Sequence, residues 1–121
     1  MSELTEKQRM RAAAQLLFDT IAADYAGYAD VSRARMFGSE GLRRHDKFFA
    51  FVDGDGGMIV KLPAEMAAGL VADGEATPVR IGRNAAREWV SLPTVSADDL
   101  QPWRDALDHA YRYATAAAGQ P

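Results

Sequence analysis

The chain has no cysteine, no long apolar run and no strong net charge. The lack of cysteine excludes disulfides, iron–sulfur clusters, thiolate zinc sites and cysteine nucleophiles. No apolar run approaches the ~20 residues that span a bilayer, and residues 1–7 contain no apolar segment of a secretory signal. We therefore expect a cytoplasmic protein with no membrane partner, although a cysteine-free chain is also compatible with an oxidising compartment.

The composition is that of one folded domain. Of the 121 residues, 48% are hydrophobic and 26% are charged, which is close to the average for folded domains and argues against disorder. The formal net charge of −3 provides no overall attraction to nucleic acid or anionic lipid. With no internal repeat and no long linker, the sequence predicts a single domain over residues 1–121, with an ordered core over about 5–117.

Helical periodicity is clearest at the two ends of the chain. Residues 5–28 place an apolar stripe at spacings of three and four, with Thr5 and Gln8 as a capping box and Gly27 where the helix should end. The stripe consists of Met10, Ala14, Leu17, Ile21, Tyr25 and Tyr28. The last helix should begin at a Ser96 cap and pack through Leu100, Trp103, Leu107, Ala110, Tyr111 and Ala114.

Between these helices the pattern favours strands. Residues 35–37 are a candidate for a short strand, followed by a turn in which Gly38 and Gly41 supply positive φ, and residues 42–45 could form a second short strand. Residues 47–53 and 58–62 form a hairpin around the glycine-rich turn at 53–57. A short helix over 64–72 follows Pro63 and ends at Gly74, and two further strands lie at 78–81 and 87–92. The order is α-β(3)-α-β(2)-α, a two-layer α+β fold with a mostly antiparallel sheet.

Alternation along the strands predicts the core and a second apolar surface. One buried cluster should contain Leu17, Ile21, Phe49, Val60, Trp89 and Trp103. Within residues 48–52, simple alternation places Phe49 and Phe51 on one face and Phe48, Ala50 and Val52 on the other. With all helices on one side, the second set would be exposed and extended by Ile59, which predicts a homodimer that covers it.

Four segments resemble the N-terminal domain of the TfoX (Sxy) family of competence regulators, over about residues 10–115. They are Met36-Phe37-Gly38-Ser39-Glu40-Gly41, Lys47-Phe48-Phe49-Ala50-Phe51-Val52, Val60-Lys61-Leu62-Pro63 and Glu88-Trp89-Val90. The resemblance implies a two-layer fold like that of secretion chaperones and the YjbR group, and a structural role for Met36, Phe37, Gly38, Gly41, Phe49 and Trp89. Ser39 departs from the family, which usually has a second glycine there, and the C-terminal domain of full-length regulators has no counterpart in this chain. The resemblance supplies no catalytic residue.

Positive charge is concentrated in the strand segments. Residues 33–47 carry a net charge of +3 and residues 77–91 carry +2, whereas the remaining segments sum to −8. These basic side chains are candidates for binding an anion or a partner, or they solvate strand edges and discourage edge-to-edge pairing. Lys61 in an apolar strand either faces solvent by alternation or supplies a fixed cation on the open face of the sheet. The candidate set is Arg35, Arg43, Arg44, Lys61, Arg80, Arg83 and Arg87.

Motifs for catalysis or metal binding are weak. Asp53-x-Asp55-Gly56 begins like a calcium loop, but Met58 and Ala64 stand where the glycine and glutamate of an EF-hand are required. His45 and His109 lack partners for a metal site, and we expect no catalytic residue, metal or cofactor. The sequence thus favours a non-enzymatic regulatory or protein-interaction domain. The alternatives are nucleic-acid binding through a basic strand face and a small enzyme acting on an anionic substrate.

Overall fold

A computed structural model describes residues 5–36, 39–81 and 84–118 of the chain. The elements in chain order are α1 (Glu6–Ala22) with a 3-10 turn (Ala23–Tyr25), β1 (Val31–Met36), β2 (Ser39–Arg44), β3 (Lys47–Val52), β4 (Met58–Lys61), α2 (Ala64–Ala72), β5 (Thr77–Ile81), β6 (Asn84–Leu92) and α3 (Gln101–Ala118). None of the helices in the described ranges is long and apolar enough to cross a membrane.

The six strands form one antiparallel sheet in the order β1-β2-β3-β4-β6-β5. The predicted α+β class with an antiparallel sheet is therefore confirmed. Four strands precede α2, whereas the predicted order counted three. The two short segments around residues 35 and 43 lengthen into β1 and β2, which pair with each other, and β2 also pairs with β3 in the same sheet.

All three helices contribute to one core on one side of the sheet. Helix α1 packs on β2 and β3, α3 on β3 and β4, and α2 on β6 and β5. The strands direct Val60, Leu62, Val90 and Leu92 into the same buried cluster. The opposite side of the sheet, called the open face below, carries none of these four residues, and its β6 edge borders a groove with α2.

Helix α1 begins as predicted and ends earlier than predicted. The Thr5–Gln8 capping box is present in both directions, but the α-helix stops at Ala22 and continues as a 3-10 turn instead of reaching Gly27. The buried stripe is rotated relative to the predicted one: Phe18 is fully buried, while Met10 and Tyr28 are 43% and 44% exposed. The buried residues are Ala14, Phe18, Ile21, Ala22 and Tyr25.

A β-bulge in β3 makes the predicted alternation of that strand wrong. Leu42 pairs with Ala50 and the next residue of β2 pairs with Phe48, so Phe49 is an extra residue in the ladder. An extra residue of this kind shifts the alternation of the strand by one position, so that residues on either side of it change faces. As a result Phe49 joins Ala50 and Val52 in the buried core, and Phe48 and Phe51 lie together on the open face with their ring centroids 6.4 Å apart.

The predicted core is confirmed for most of its members and wrong for one. Ile21, Phe49, Val60 and Trp103 are at most 1% exposed, and Leu17 packs against them as a partly buried residue. Trp89 does not belong to this cluster. Its neighbour Val90 points inward, and strand alternation therefore directs Trp89 to the open face.

The prediction that Gly41 supplies a positive φ in a turn is wrong, because Gly41 lies inside β2. It does not have a positive φ; a Cβ added there would lie 2.6 Å from the Ala50 carbonyl oxygen and 2.7 Å from the Phe51 Cβ. Glycine is required here because β2 and β3 approach closely beneath the phenylalanine side chains. Phe37, Gly38 and the side chain of Met36 lie outside the described residues.

The last helix begins later than the sequence indicates. Ser96 makes a short turn in which its hydroxyl accepts from the Asp98 N–H at 3.1 Å, and α3 starts at Gln101. The Asp99 carboxylate accepts from the Gln101 N–H at 3.2 Å. Aspartate can accept such a bond as readily as serine, so this aspartate serves the start of α3. The indole N–H of Trp103 donates to the Pro93 carbonyl at 2.9 Å.

Candidate functional site

The open face carries a contiguous apolar patch. The patch consists of Phe48, Phe51, Ile59 and Trp89, and each of these residues is half-buried within the single chain. Ile59 pairs directly with Phe51 across β3 and β4, and the rings of Phe51 and Trp89 are 5.9 Å apart. Three neighbouring strands therefore present one apolar surface, and at its Trp89 end it borders the groove between α2 and β6.

The border of the apolar patch is polar and only sparsely charged. The Arg43 guanidinium lies 5.9 Å from the centroid of Phe48, a distance at which a cation is attracted to the ring face. At the far end of the sheet, Ser91 donates to the Asp53 carboxylate. The same carboxylate accepts from the backbone N–H groups of Asp55 at 2.7 Å and Gly57 at 2.9 Å. Asp53 therefore closes the β3–β4 turn, as a plain turn interpretation of this segment predicts.

A second feature is a cavity of about 270 Å³ where β3 begins and β4 ends. It is called the end cavity below. The β2–β3 turn forms one side and the last turns of α3 form the other. Its polar lining consists of Arg44, His45, Asp46, Lys47, Lys61 and Tyr113. Its apolar lining includes Phe48, Phe49 and Ala114.

Tyr113 and Glu88 hold one wall of the end cavity in place. The Tyr113 hydroxyl donates a short hydrogen bond to Glu88 on β6, which ties the end of α3 to the sheet. This bond raises the pKa of Tyr113, with smaller contributions from burial and from the negative charge of Glu88. The second Glu88 oxygen lies 3.9 Å from the Lys61 ammonium, a separation too long for a hydrogen bond.

Arg44 and His45 form the opposite side of the cavity. Arg44 is fixed by Asp30, whose carboxylate accepts from the guanidinium Nε at 2.7 Å. His45 has a φ of 57° and donates its backbone N–H to the Asp30 carbonyl at 3.2 Å. The tight β2–β3 turn therefore projects an imidazole at the cavity beside a guanidinium that already has an ionic partner.

Among the basic candidates within the described ranges, the structure brings only Arg44 and Lys61 together at the end cavity. Arg35 and Arg43 lie on β1 and β2 at one edge of the sheet, and register places their side chains on opposite faces. Arg80 and Arg87 lie on β5 and β6 at the other edge. The described arginines thus do not form a single basic strand face. Arg83 lies outside the described residues.

Alternation in β4 agrees with the burial of its side chains. Met58 and Val60 are buried, whereas Ile59 and Lys61 are partly exposed. Lys61 therefore follows the predicted solvent-facing phase, but its position at the end of the strand also places it in the end cavity.

The described residues contain no cluster of three or more histidine, aspartate or glutamate side chains suited to a metal ion. His45 lines the end cavity, whereas His109 lies on α3 beside the groove between α2 and α3. The Tyr113 hydroxyl in the end cavity is committed to Glu88. The hydrogen bonds around the cavity therefore hold its walls and form no acid–base pair with a nucleophile.

Sequence reasoning missed Tyr113, Lys47 and Phe51 as surface and cavity residues. Tyr113 is polar on a helix face that otherwise packs, and its partner Glu88 is 25 positions away, so no local pattern connects them. Phe51 could be assigned to the open face only by placing a bulge in β3, and bulges in buried aromatic strands leave no local sequence signal.

Comparisons with known proteins were made at three levels. No protein-family model, curated protein or solved structure matched the chain.

Proposed function

We propose that this protein is a non-enzymatic interaction domain that docks through the apolar patch of its open face. The observation that carries the proposal is the contact between the partly exposed rings of Phe51 and Trp89, whose centroids are 5.9 Å apart on the open face. Monomeric proteins rarely leave contiguous apolar patches uncovered unless another molecule binds there. Aromatic residues are also enriched at protein–protein contacts.

A regulatory role in the cytoplasm is part of this proposal. It is the role implied by the resemblance to the TfoX N-terminal domain, and the two-layer α+β architecture supports it. The proposal favours protein over nucleic acid because the basic candidates lie at opposite sheet edges, as Arg35 and Arg80 illustrate. Nucleic-acid binding usually uses a continuous basic surface.

The partner we propose is a second copy of the chain. The four patch residues carry no formal charge, and therefore two copies can meet around a two-fold axis without placing like charges in the centre. An isologous contact of this kind needs only one self-complementary patch. A face-to-face packing of two sheets, ~10 Å apart, would bury the aromatic rings of both subunits.

The size of the open face fits a modest dimer. Six strands spaced ~4.8 Å apart make a face ~24 Å wide, and a strand of six residues is ~20 Å long. The two faces together would then bury roughly 1,000 Å², which is near the lower limit for a specific interface. We therefore expect dissociation at low micromolar protein concentration and not a permanent dimer.

Light scattering of the full chain across micromolar concentrations tests the proposal. We expect the mass to rise from that of one 13.2 kDa chain towards twice that value. Phe51→Glu should keep the protein monomeric at every concentration, because it places a charge at the centre of the contact.

A matched control distinguishes the patch from general surface hydrophobicity. Leu16 on α1 is 69% exposed and lies away from the open face, so Leu16→Glu should leave the association unchanged. A mass that stays at 13.2 kDa throughout, or equal effects of the two substitutions, would contradict self-association through the apolar patch.

A further inference from the structure

We infer that the end cavity is a binding site for a small organic anion, a carboxylate or phosphate attached to an apolar or aromatic body. This inference does not depend on the proposed docking surface. It rests on a lysine at the cavity that has an ionic neighbour but no hydrogen-bond acceptor, on the apolar walls beside it and on the volume of the cavity.

Lys61 is the residue that would bind the anionic group. Its side chain is about one-third exposed, and the nearest acidic oxygen is that of Glu88 at 3.9 Å. The hydrogen bond from Tyr113 is accepted by the other Glu88 oxygen, so Oε1 remains the ionic partner of Lys61. Within the described part of the chain, the Lys61 ammonium consequently has an ionic neighbour but no hydrogen-bond acceptor, although a lysine offers three donors.

Among the described charges at the cavity, Lys61 and Lys47 are the cations without a hydrogen-bonded carboxylate. Arg44 is paired with Asp30 at 2.7 Å, and Asp46 is an exposed carboxylate in the β2–β3 turn. Lys47 is exposed on the same side of the cavity. An anion between Lys47 and Lys61 would gain charge-assisted hydrogen bonds without breaking the Arg44 pair.

The remaining lining favours an apolar ligand body. Phe48 and Phe49 come from β3, and Ala114 comes from the facing turn of α3. Ligand sites combine mostly apolar walls with a few polar groups, in cavities of ~300–1,000 Å³ for drug-sized molecules. The volume of about 270 Å³ therefore suits a smaller, metabolite-sized molecule such as an aromatic acid.

Three probes separate the contribution of the negative charge to binding from that of the aromatic ring. They are benzoate, benzamide and inorganic phosphate. We expect benzoate to bind the full chain in calorimetric titrations, with amide NMR shifts at residues 44–49 and 61. Benzamide has the same ring without the charge and should bind much more weakly. Inorganic phosphate lacks the ring and should compete poorly.

Two lysine variants complete the test. Lys61→Gln should weaken benzoate binding about tenfold or more, the loss expected for one charge-assisted hydrogen bond. Lys7→Gln is the matched control, since Lys7 pairs with Asp55 at the opposite end of the β3–β4 hairpin, and it should leave the affinity unchanged. Circular dichroism and the thermal transition establish that both variants fold.

Four outcomes would overturn the inference. The first three are no saturable benzoate binding, equal binding of benzoate and benzamide, and benzoate binding that survives Lys61→Gln in a folded protein. Competition by phosphate as strong as that by benzoate would also contradict it, because the apolar walls would then contribute nothing. None of these outcomes concerns Phe51, so the test is separate from that of the dimer.

Discussion

The two faces of the sheet are built from the same residue types but differ in what covers them. On the covered face, Phe49 and Val60 are at most 1% exposed beneath α1 and α3. On the open face, Phe51 and Trp89 contact each other and are only half-buried. Hydrophobic side chains thus maintain the fold on one side and remain available for contact on the other.

This difference shows that residue type alone does not separate core from surface. Phe48, Phe49 and Phe51 belong to one strand of six residues, yet a single bulge sends one phenylalanine inward and two outward. Burial removes apolar area from water in proportion to the area covered. The free energy contributed by each ring therefore depends on its face and on the helices above it.

The largest expected effect compares two alanine substitutions in β3. Phe49→Ala should reduce the free energy of unfolding by ~3–5 kcal/mol, the usual loss for a buried aromatic residue. Phe51→Ala should cost less than ~2 kcal/mol in the monomer, because its ring is already partly solvated. Urea unfolding at low protein concentration measures both. Equal losses of unfolding free energy would show that Phe49 and Phe51 are equally buried and would contradict the difference between the two faces.

A substitution at Gly41, where β2 and β3 approach closely, should have an intermediate effect on stability. Gly41→Ala should reduce stability by ~1–3 kcal/mol, because the new Cβ would lie 2.6 Å from the Ala50 carbonyl oxygen and push β2 from β3. Gly69→Ala in α2 is the control, since no heavy atom lies within 4 Å of the added Cβ and alanine favours helix by up to ~1 kcal/mol. If Gly41→Ala is as stable as this control, the strands do not approach as closely as described.

The smallest effect at neutral pH concerns Tyr25 on the covered side. Burial, followed by the nearby charge of Asp108, raises the pKa of Tyr25 from 10.0 to about 12. The pKa of Tyr25 is higher in the folded than in the unfolded state. The contribution of the buried, neutral phenol to the free energy of unfolding is therefore complete below pH 10 and is lost as the pH rises towards 12. Tyr25→Phe should remove this part of the alkaline destabilisation, measured as unfolding free energy against pH. An unchanged pH dependence between those values would show that Tyr25 is solvated.

The helical parts of the fold could be predicted from local patterns. The Thr5–Gln8 capping box, the helix after Pro63 and the packing of Trp103 and Leu107 each depend on residues within a few positions of each other. Phe18 was missed because Leu17 and Phe18 are adjacent apolar residues, and helical spacing alone does not decide which of the two is buried. The start of α3 was missed because Ser96 and Asp99 are both acceptable capping residues.

The candidate sites were less predictable because their members are distant in sequence. Arg44 and Lys61 were candidates from charge alone, but their common cavity depends on the pairing of β2, β3 and β4. Tyr113 enters the site through Glu88, a partner on another element. The inward phase of Trp89 was predicted from its own strand and was wrong, because the burial of Val90 determines which face of β6 is covered.

By itself, the sequence determined an α+β class, an antiparallel sheet, a cysteine-free core and the concentration of positive charge in the strands. These properties follow from composition and from periods of two and 3.6 residues, which are local. The tertiary structure alone decided which phenylalanines are buried, where Gly41 is needed and which cations share a cavity. A bulge and long-range strand pairing set these features, and both depend on how distant segments fit together in space.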